Sequence, residues 1–185
     1  KDVTLILNEN MVPKGKDLRE VYETRNTRIA NEMLFNNEIR IDPKGMRKLH
    51  SVLMKDTGVS EGFKKLPNFL LMRNVKTTPP EKVEGEIKKL IGAYIGSKAH
   101  PLKKAAVFHG LFERIHPFED GNGRVGRVLI NAILLENGYP PLILQKTMRT
   151  SYFHALEAYD RGYPLKLERF LLERLEKTFN DFFRI

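Results

Sequence analysis

An all-α helical bundle is the fold class that this sequence predicts, and three observations predict it. Apolar residues recur at three- and four-residue spacing through most of the 185 positions. Pro, Gly and Asp-Pro punctuation cuts that pattern into helix-length pieces. β-favouring residues gather in one short stretch, Pro67-Asn-Phe-Leu-Leu71.

The elements follow in chain order. Residues 1–14 read as a lead-in from a truncated N-terminus. A helix is expected from Gly15 to Asn36, with its apolar face on Leu18, Val21, Tyr22, Ile29 and Met33. Asp42-Pro43 opens the next, Asp as N-cap and Pro at the first helical position, running to about Asp56. Residues 61–80 interrupt the helical pattern. Pro80 to Gly96 resumes it with Val83, Ile87, Leu90 and Ile91. Leu102 to Ile115 carries Ala105, Phe108, Leu111, Phe112 and Ile115. Pro117 disfavours α geometry in the residue before it, so this helix should stop near His116. Val125, Val128, Leu129, Ala132, Ile133 and Leu135 mark a further helix to Asn137. Two more are expected, Thr147 to Arg161 and Pro164 to about Phe183.

The chain is long enough for one domain with a real core. Its 41% apolar and 30% charged residues match a soluble globular protein. No run of about twenty apolar residues is present, which excludes a membrane-spanning helix from the reading. Val3 to Leu7 is too short for a signal peptide. With no cysteine there are no disulfides or thiolate metal sites, and a cytoplasmic setting is expected. A formal net charge of +9 suits ATP, an acidic protein or nucleic acid. The basic pairs Lys64-Lys65, Lys88-Lys89 and Lys103-Lys104 fall on separate elements, and zinc spacing and RNA-binding aromatic motifs are missing. Nucleic acid is therefore not the expected partner.

Chemistry concentrates in His116-Pro-Phe-Glu-Asp-Gly-Asn-Gly-Arg-Val-Gly-Arg127. His116, at a helix end, can accept a proton from a hydroxyl. Asp120 is a hard oxygen ligand suited to Mg²⁺ shared with substrate phosphates. Gly121 and Gly123 let backbone N–H groups approach a ligand, and the helix that opens there has a positive dipole end. Asn122 can donate its amide to a phosphate oxygen. Arg124 and Arg127, three apart, share a helix face, and guanidinium forks match phosphate oxygens. The set suits a metal-bound polyphosphate held while a proton is removed from an attacking group.

The run resembles the Fic family signature, His-x-Phe-x-Asp/Glu-Gly-Asn-Gly-Arg-x-x-Arg, at every fixed position. Pro101 to Ile115, Gly138-Tyr-Pro-Pro-Leu and Tyr152-Phe-His-Ala-Leu-Glu-Ala are also similar to that family. The resemblance implies a helical Fic fold with a small β-hairpin flap at 61–80, where Gly62-Phe63-Lys64 resembles the family's Gly-x-Tyr/Phe-Arg. It implies transfer of AMP from Mg-ATP to a Ser, Thr or Tyr hydroxyl of a protein target, this protein itself among the candidates through self-labelling, with release of pyrophosphate. His116 is then the base and Asp120 the Mg²⁺ ligand. Gly121, Asn122 and Gly123 form the anion cradle, Arg124 and Arg127 bind phosphates, and Phe118 anchors the loop. Tyr152, Phe153 and Asp160 fall at the adenine pocket. Lys65, Leu66, Pro67 and Asn68 fall on the flap, which would clamp a target segment by strand addition.

Three rival readings share these residues. Kinase-like relatives carry Lys where this chain has Gly123 and lack the second Arg, so Gly123 and Arg127 speak against γ-phosphate transfer. Removal of AMP can use the same groups. A catalytically idle binding domain would not need His116, Asp120, Asn122 and Arg124 intact. Many relatives also carry an inhibitory Ser/Thr-x-x-x-Glu-Gly/Asn. The pattern occurs at Thr57 to Gly62, with Glu61 on the loop before the flap. Thr4-Leu-Ile-Leu-Asn8-Glu9 resembles the segment that follows such a Glu, which places an inhibitory segment upstream of Lys1.

Overall fold

The computed structural model describes residues 17–70, 73 and 75–183. Among them lie seven α-helices: α1 (Leu18–Phe35), α2 (Pro43–Leu53), α3 (Pro80–Gly96), α4 (Pro101–Ile115), α5 (Asn122–Glu136), α6 (Arg149–Asp160) and α7 (Pro164–Phe183). A 3₁₀ turn, Lys146–Met148, precedes α6. The all-helical class therefore holds. The small hairpin of the flap consists, among the described residues, of one antiparallel bridge between Phe69 and Lys76. The lead-in and the Thr4–Glu9 segment lie outside the described residues.

Helix boundaries follow the sequence punctuation. The Asp42 carboxylate accepts from the Gly45 N–H at 2.7 Å, with Pro43 in the first turn. Pro80 and Pro101 likewise stand in the first turns of α3 and α4, where His100 caps α4 and no side chain caps α3. Helix α2 ends three residues sooner than expected, in a turn that carries Asp56 at a left-handed φ of 62°.

The core forms where α4 and α5 pack face to face. Helices α3 and α7 cover α4, α1 and α2 flank α5, and α6 packs on α7. Phe108 and Phe112 of α4, Leu129 and Ile133 of α5, and Leu49 and Leu53 of α2 are fully buried. Each such side chain contributes about 1.5–3 kcal/mol of burial. The face expected for α1 needs correction. Leu18 and Ile29 are exposed and Val21 and Tyr22 half-buried; of the expected face Met33 is buried, together with Asn26, Ala30 and Leu34. The rotation is set by Asn26, whose amide donates to the Leu53 and Lys55 carbonyls at 3.3 and 2.7 Å, at and just past the end of α2. No helix among the described residues is long and apolar enough to cross a membrane.

Candidate active site

The site lies where α4 ends and α5 begins. Helix α4 stops at Ile115, as Pro117 predicted, and His116 caps it at φ 50°, ψ 63°. A left-handed L-residue costs roughly 1–2 kcal/mol, so surrounding contacts must hold it there. The imidazole Nδ1 lies 3.4 Å from the Glu113 carbonyl, a long contact in which only nitrogen can donate. That tautomer leaves the Nε2 lone pair available. Burial is the main cause that pushes His116 down to about 4, and the charges of Lys64 and Arg73 act the same way. The ring is neutral at neutral pH.

The loop between the helices is fastened from inside. Phe118 is fully buried, and His50 of α2 stacks on it at 3.9 Å with the rings 3° from parallel. The same His50 donates through Nε2 to the Asp120 carbonyl at 3.0 Å. Gly121, at φ 81°, starts α5, and a Cβ there would sit 2.6 Å from the Met54 sulfur. Helix geometry leaves the first-turn N–H groups of Asn122 and Gly123 without intrahelical acceptors, which makes an anion site. The Asn122 side chain departs from expectation. It is buried and spends its amide on the loop, accepting from the Phe118 N–H and donating to the Phe118 carbonyl. Its side-chain amide does not point outward toward a phosphate.

The charged residues form a ring that includes α1. Asp120 bonds Arg19, and its second oxygen accepts from the Gly121 N–H. Glu23 accepts from Arg19 at 3.0 Å and meets Arg124 at 2.9 Å. Arg124 returns to Asp120 at 3.7 Å. Burial raises the Asp120 carboxyl, but the Gly121 N–H, Arg124 and Arg19 outweigh it and hold the group below its ordinary range. Arg124 and Arg127 both line a cleft of about 620 Å³ between α1, α5 and the Pro140–Leu144 loop. The charge of Arg127 also reaches buried Glu113, which burial chiefly pushes up to about 7 against the opposing charges of Arg73 and Arg127.

The residues expected around adenine are drawn inward. The Tyr152 hydroxyl pairs with His109 Nε2 at 2.7 Å, and Tyr152 is buried. Asp160 accepts from Arg73 Nε at 2.8 Å, and both side chains are almost completely buried. Phe153 is half-buried beside Tyr152. Lys65, Leu66 and Pro67 are exposed, and with Asn68 and Glu119 they line a separate cleft of about 410 Å³. Glu61 accepts from Ser51 at 2.8 Å. Sequence reasoning missed Arg19, Glu23, His50, Arg73 and Glu113. Each partners a residue on another element or sits inside a helix face, so no local pattern marks it.

Comparison with known proteins agrees with this architecture. The protein adenylyltransferase Fic of Drosophila virilis is 43% identical over 82 residues, which cover 44% of this chain and 17% of that protein. The chain thus matches a minor part of that relative's length. A Fic domain containing signaling protein from Bacteroides thetaiotaomicron superimposes with a TM-score of 0.85 at 23% identity, over 94% of this chain and 75% of that one. IbpAFic2, solved in complex with adenylylated Cdc42, gives 0.66 at 20% identity over 96% and 61%. Residues 40–134, just over half of the sequence, match the model described as Fic/DOC family, and the chain belongs to that family.

Proposed function

We propose that this chain transfers AMP from ATP to a Ser, Thr or Tyr hydroxyl of a protein target. The observation that carries the reading is a neutral imidazole at the end of α4, five residues before the Gly121 cap of an α5 that bears Arg124 and Arg127 on its first two turns. Phosphoryl-type transfer needs mainly positioning and charge stabilisation, and this arrangement supplies both.

His116 Nε2 takes the proton of the target hydroxyl. The hydroxyl oxygen bonds to the α-phosphorus. The bond from that phosphorus to the bridging oxygen breaks, and pyrophosphate leaves with the electron pair. The N–H groups of Asn122 and Gly123 hold phosphate oxygens, and the guanidinium forks of Arg124 and Arg127 hold the leaving group.

Asp120 fits Mg²⁺: its carboxylate is half-exposed and held ionised. Among the described residues no cluster of three or more His, Cys, Asp or Glu surrounds it. One carboxylate plus substrate phosphates is the usual Mg²⁺ arrangement. The ion would supply charge neutralisation of the leaving pyrophosphate. Arg19 must move off Asp120 to admit it. The exposed Lys65–Pro67 segment would receive the target backbone by strand addition. Support for a protein target comes from the name of the fly relative and from the Cdc42 complex of IbpAFic2.

The test is mass spectrometry of a cell lysate incubated with the protein and Mg-ATP. An AMP adduct on a hydroxyl side chain, with one pyrophosphate released per adduct, is expected. A phosphate adduct with ADP release, or loss of AMP from pre-modified protein alone, would replace this reading.

A further inference from the structure

Lys64 is a buried cation with no carboxylate partner among the described residues. It is 5% exposed, and its ammonium is held by neutral oxygens alone: Asn68 Oδ1 at 2.7 Å, Thr77 Oγ1 at 3.0 Å and the Ile115 carbonyl at 3.5 Å. Burying a charge in this way is costly, and burial lowers the group to about 8. A methionine or leucine would fill the same space without that cost.

The three oxygens belong to three different pieces of chain. Asn68 lies on the outgoing arm of the flap and Thr77 on the returning arm, just past the Phe69–Lys76 bridge. Ile115 ends α4 immediately before His116. The main chain of Lys64 makes a further link, its N–H donating to the Pro117 carbonyl at 2.8 Å. Lys64 therefore grips the carbonyls on both sides of His116, one with its backbone and one with its side chain. Asn68 adds a third tie, its amide donating to the Phe118 carbonyl at 2.7 Å. Thr77 closes the flap upon itself by donating to the Asn68 carbonyl at 2.8 Å. The contact to the Ile115 carbonyl also places a positive charge at the C-terminal end of α4, where the helix dipole favours one.

We propose that Lys64 is a positioning residue that locks both arms of the flap to the backbone on either side of His116, so that a segment bound on the flap and the base share one fixed frame. This rests on the adenylyl-transfer reading for its consequence, though the lock itself does not. A target hydroxyl presented by the flap must arrive within hydrogen-bond reach of Nε2. A misplacement of about 1 Å can cost on the order of 10²-fold in rate. The left-handed backbone of His116 gains a reason as well, since it is bracketed by two tethered carbonyls.

The test compares Lys64→Met, Lys64→Arg and Thr77→Val. Lys64→Met keeps length and apolar volume but removes the donors and the charge. It should lower kcat for a protein target about 10- to 100-fold and leave nucleotide affinity within about 2-fold. Amide exchange over the flap should quicken. The His116 titration, followed by NMR on labelled histidine, should move upward, because the Lys64 charge adds to burial and Arg73 in depressing it while the Glu113 carbonyl and Asp120 oppose. Lys64→Arg keeps charge and donors and should restore most of the rate. Thr77→Val, at a half-buried position that leaves Lys64 in place, should quicken flap exchange and lower kcat in the same direction if Lys64→Met fails to fold. Wild-type kcat together with wild-type flap exchange in either variant would overturn the proposal. If the wild-type protein transfers no AMP, the functional reading fails, while the exchange and titration readouts still decide whether Lys64 is the lock.

Discussion

Asn122 grips the backbone of Phe118 from both sides, accepting from its N–H and donating to its carbonyl at 2.9 Å each. The two residues are four apart, and both are buried. This closes the segment that carries Asp120 into a ring and fixes where α5 starts. Asn122→Ala would leave the buried Phe118 N–H unpaired, while the Phe118 carbonyl would keep only the Asn68 amide. The expected loss is about 1–3 kcal/mol, seen as a melting temperature lowered by roughly 2–12 °C. A variant that melts with the wild type would show that the clamp carries little.

Arg73 and Asp160 form a buried ion pair between the flap region and α6. Removing one member of such a pair typically costs about 3–5 kcal/mol, because the other charge stays buried and unpaired. Asp160→Ala should therefore destabilise the whole fold in urea titration. The double replacement Arg73→Met with Asp160→Leu should recover most of that loss. If Asp160→Ala instead weakens nucleotide binding at unchanged stability, Asp160 contacts the base as the sequence suggested.

Arg19 competes for the carboxylate that the proposed function assigns to Mg²⁺. Both side chains are nearly half-exposed, so their pair contributes at most about 1 kcal/mol. Arg19→Ala should leave stability almost unchanged. It should lower the Mg²⁺ concentration for half-maximal nucleotide binding about 2- to 5-fold, read by calorimetric titration. A higher Mg²⁺ requirement would mean that Arg19 assists the bound state.

His116 titrates near 4 in the folded protein against an ordinary value of 6.5. The active form is the neutral ring, so kcat/KM should stay flat as pH falls from 8 to about 5 and should drop only near 4. Stability follows a different curve. The folded value is depressed below the unfolded one, so this contribution is complete above 6.5 and is lost progressively as pH falls toward 4. An acid limb of activity at 6.5 would show an imidazole that is not shielded by burial.

Much of this architecture was legible because it is local. Pro117 ended α4 at Ile115, Asp42 capped α2, and the apolar spacing of α3, α4 and α5 matched the faces they bury. The grouping of His116, Asp120, Arg124 and Arg127 was legible for the same reason, since all lie within twelve consecutive positions. What stayed hidden is decided through space. Arg19 and Asp120 are 101 positions apart, and Arg73 and Asp160 are 87 apart. Periodicity sees neither pair. The face of α1 was misjudged at Leu18 and Ile29 because apolar residues were counted as inward, whereas Asn26 turns the helix toward the open carbonyls at the end of α2. The Asn122 side chain was read by donor type alone, and only the loop around Phe118 shows where its amide goes.

The most direct measurement of the central claim is label retention on protein, with parallel incubations in α-labelled and γ-labelled ATP, for the wild type and His116→Ala. The account predicts label from α-labelled ATP only. It also predicts a rate about 10²- to 10⁴-fold lower in His116→Ala, with ATP binding nearly unchanged. Retention of γ-label, or α-labelling by His116→Ala within a few-fold of wild type, would contradict it.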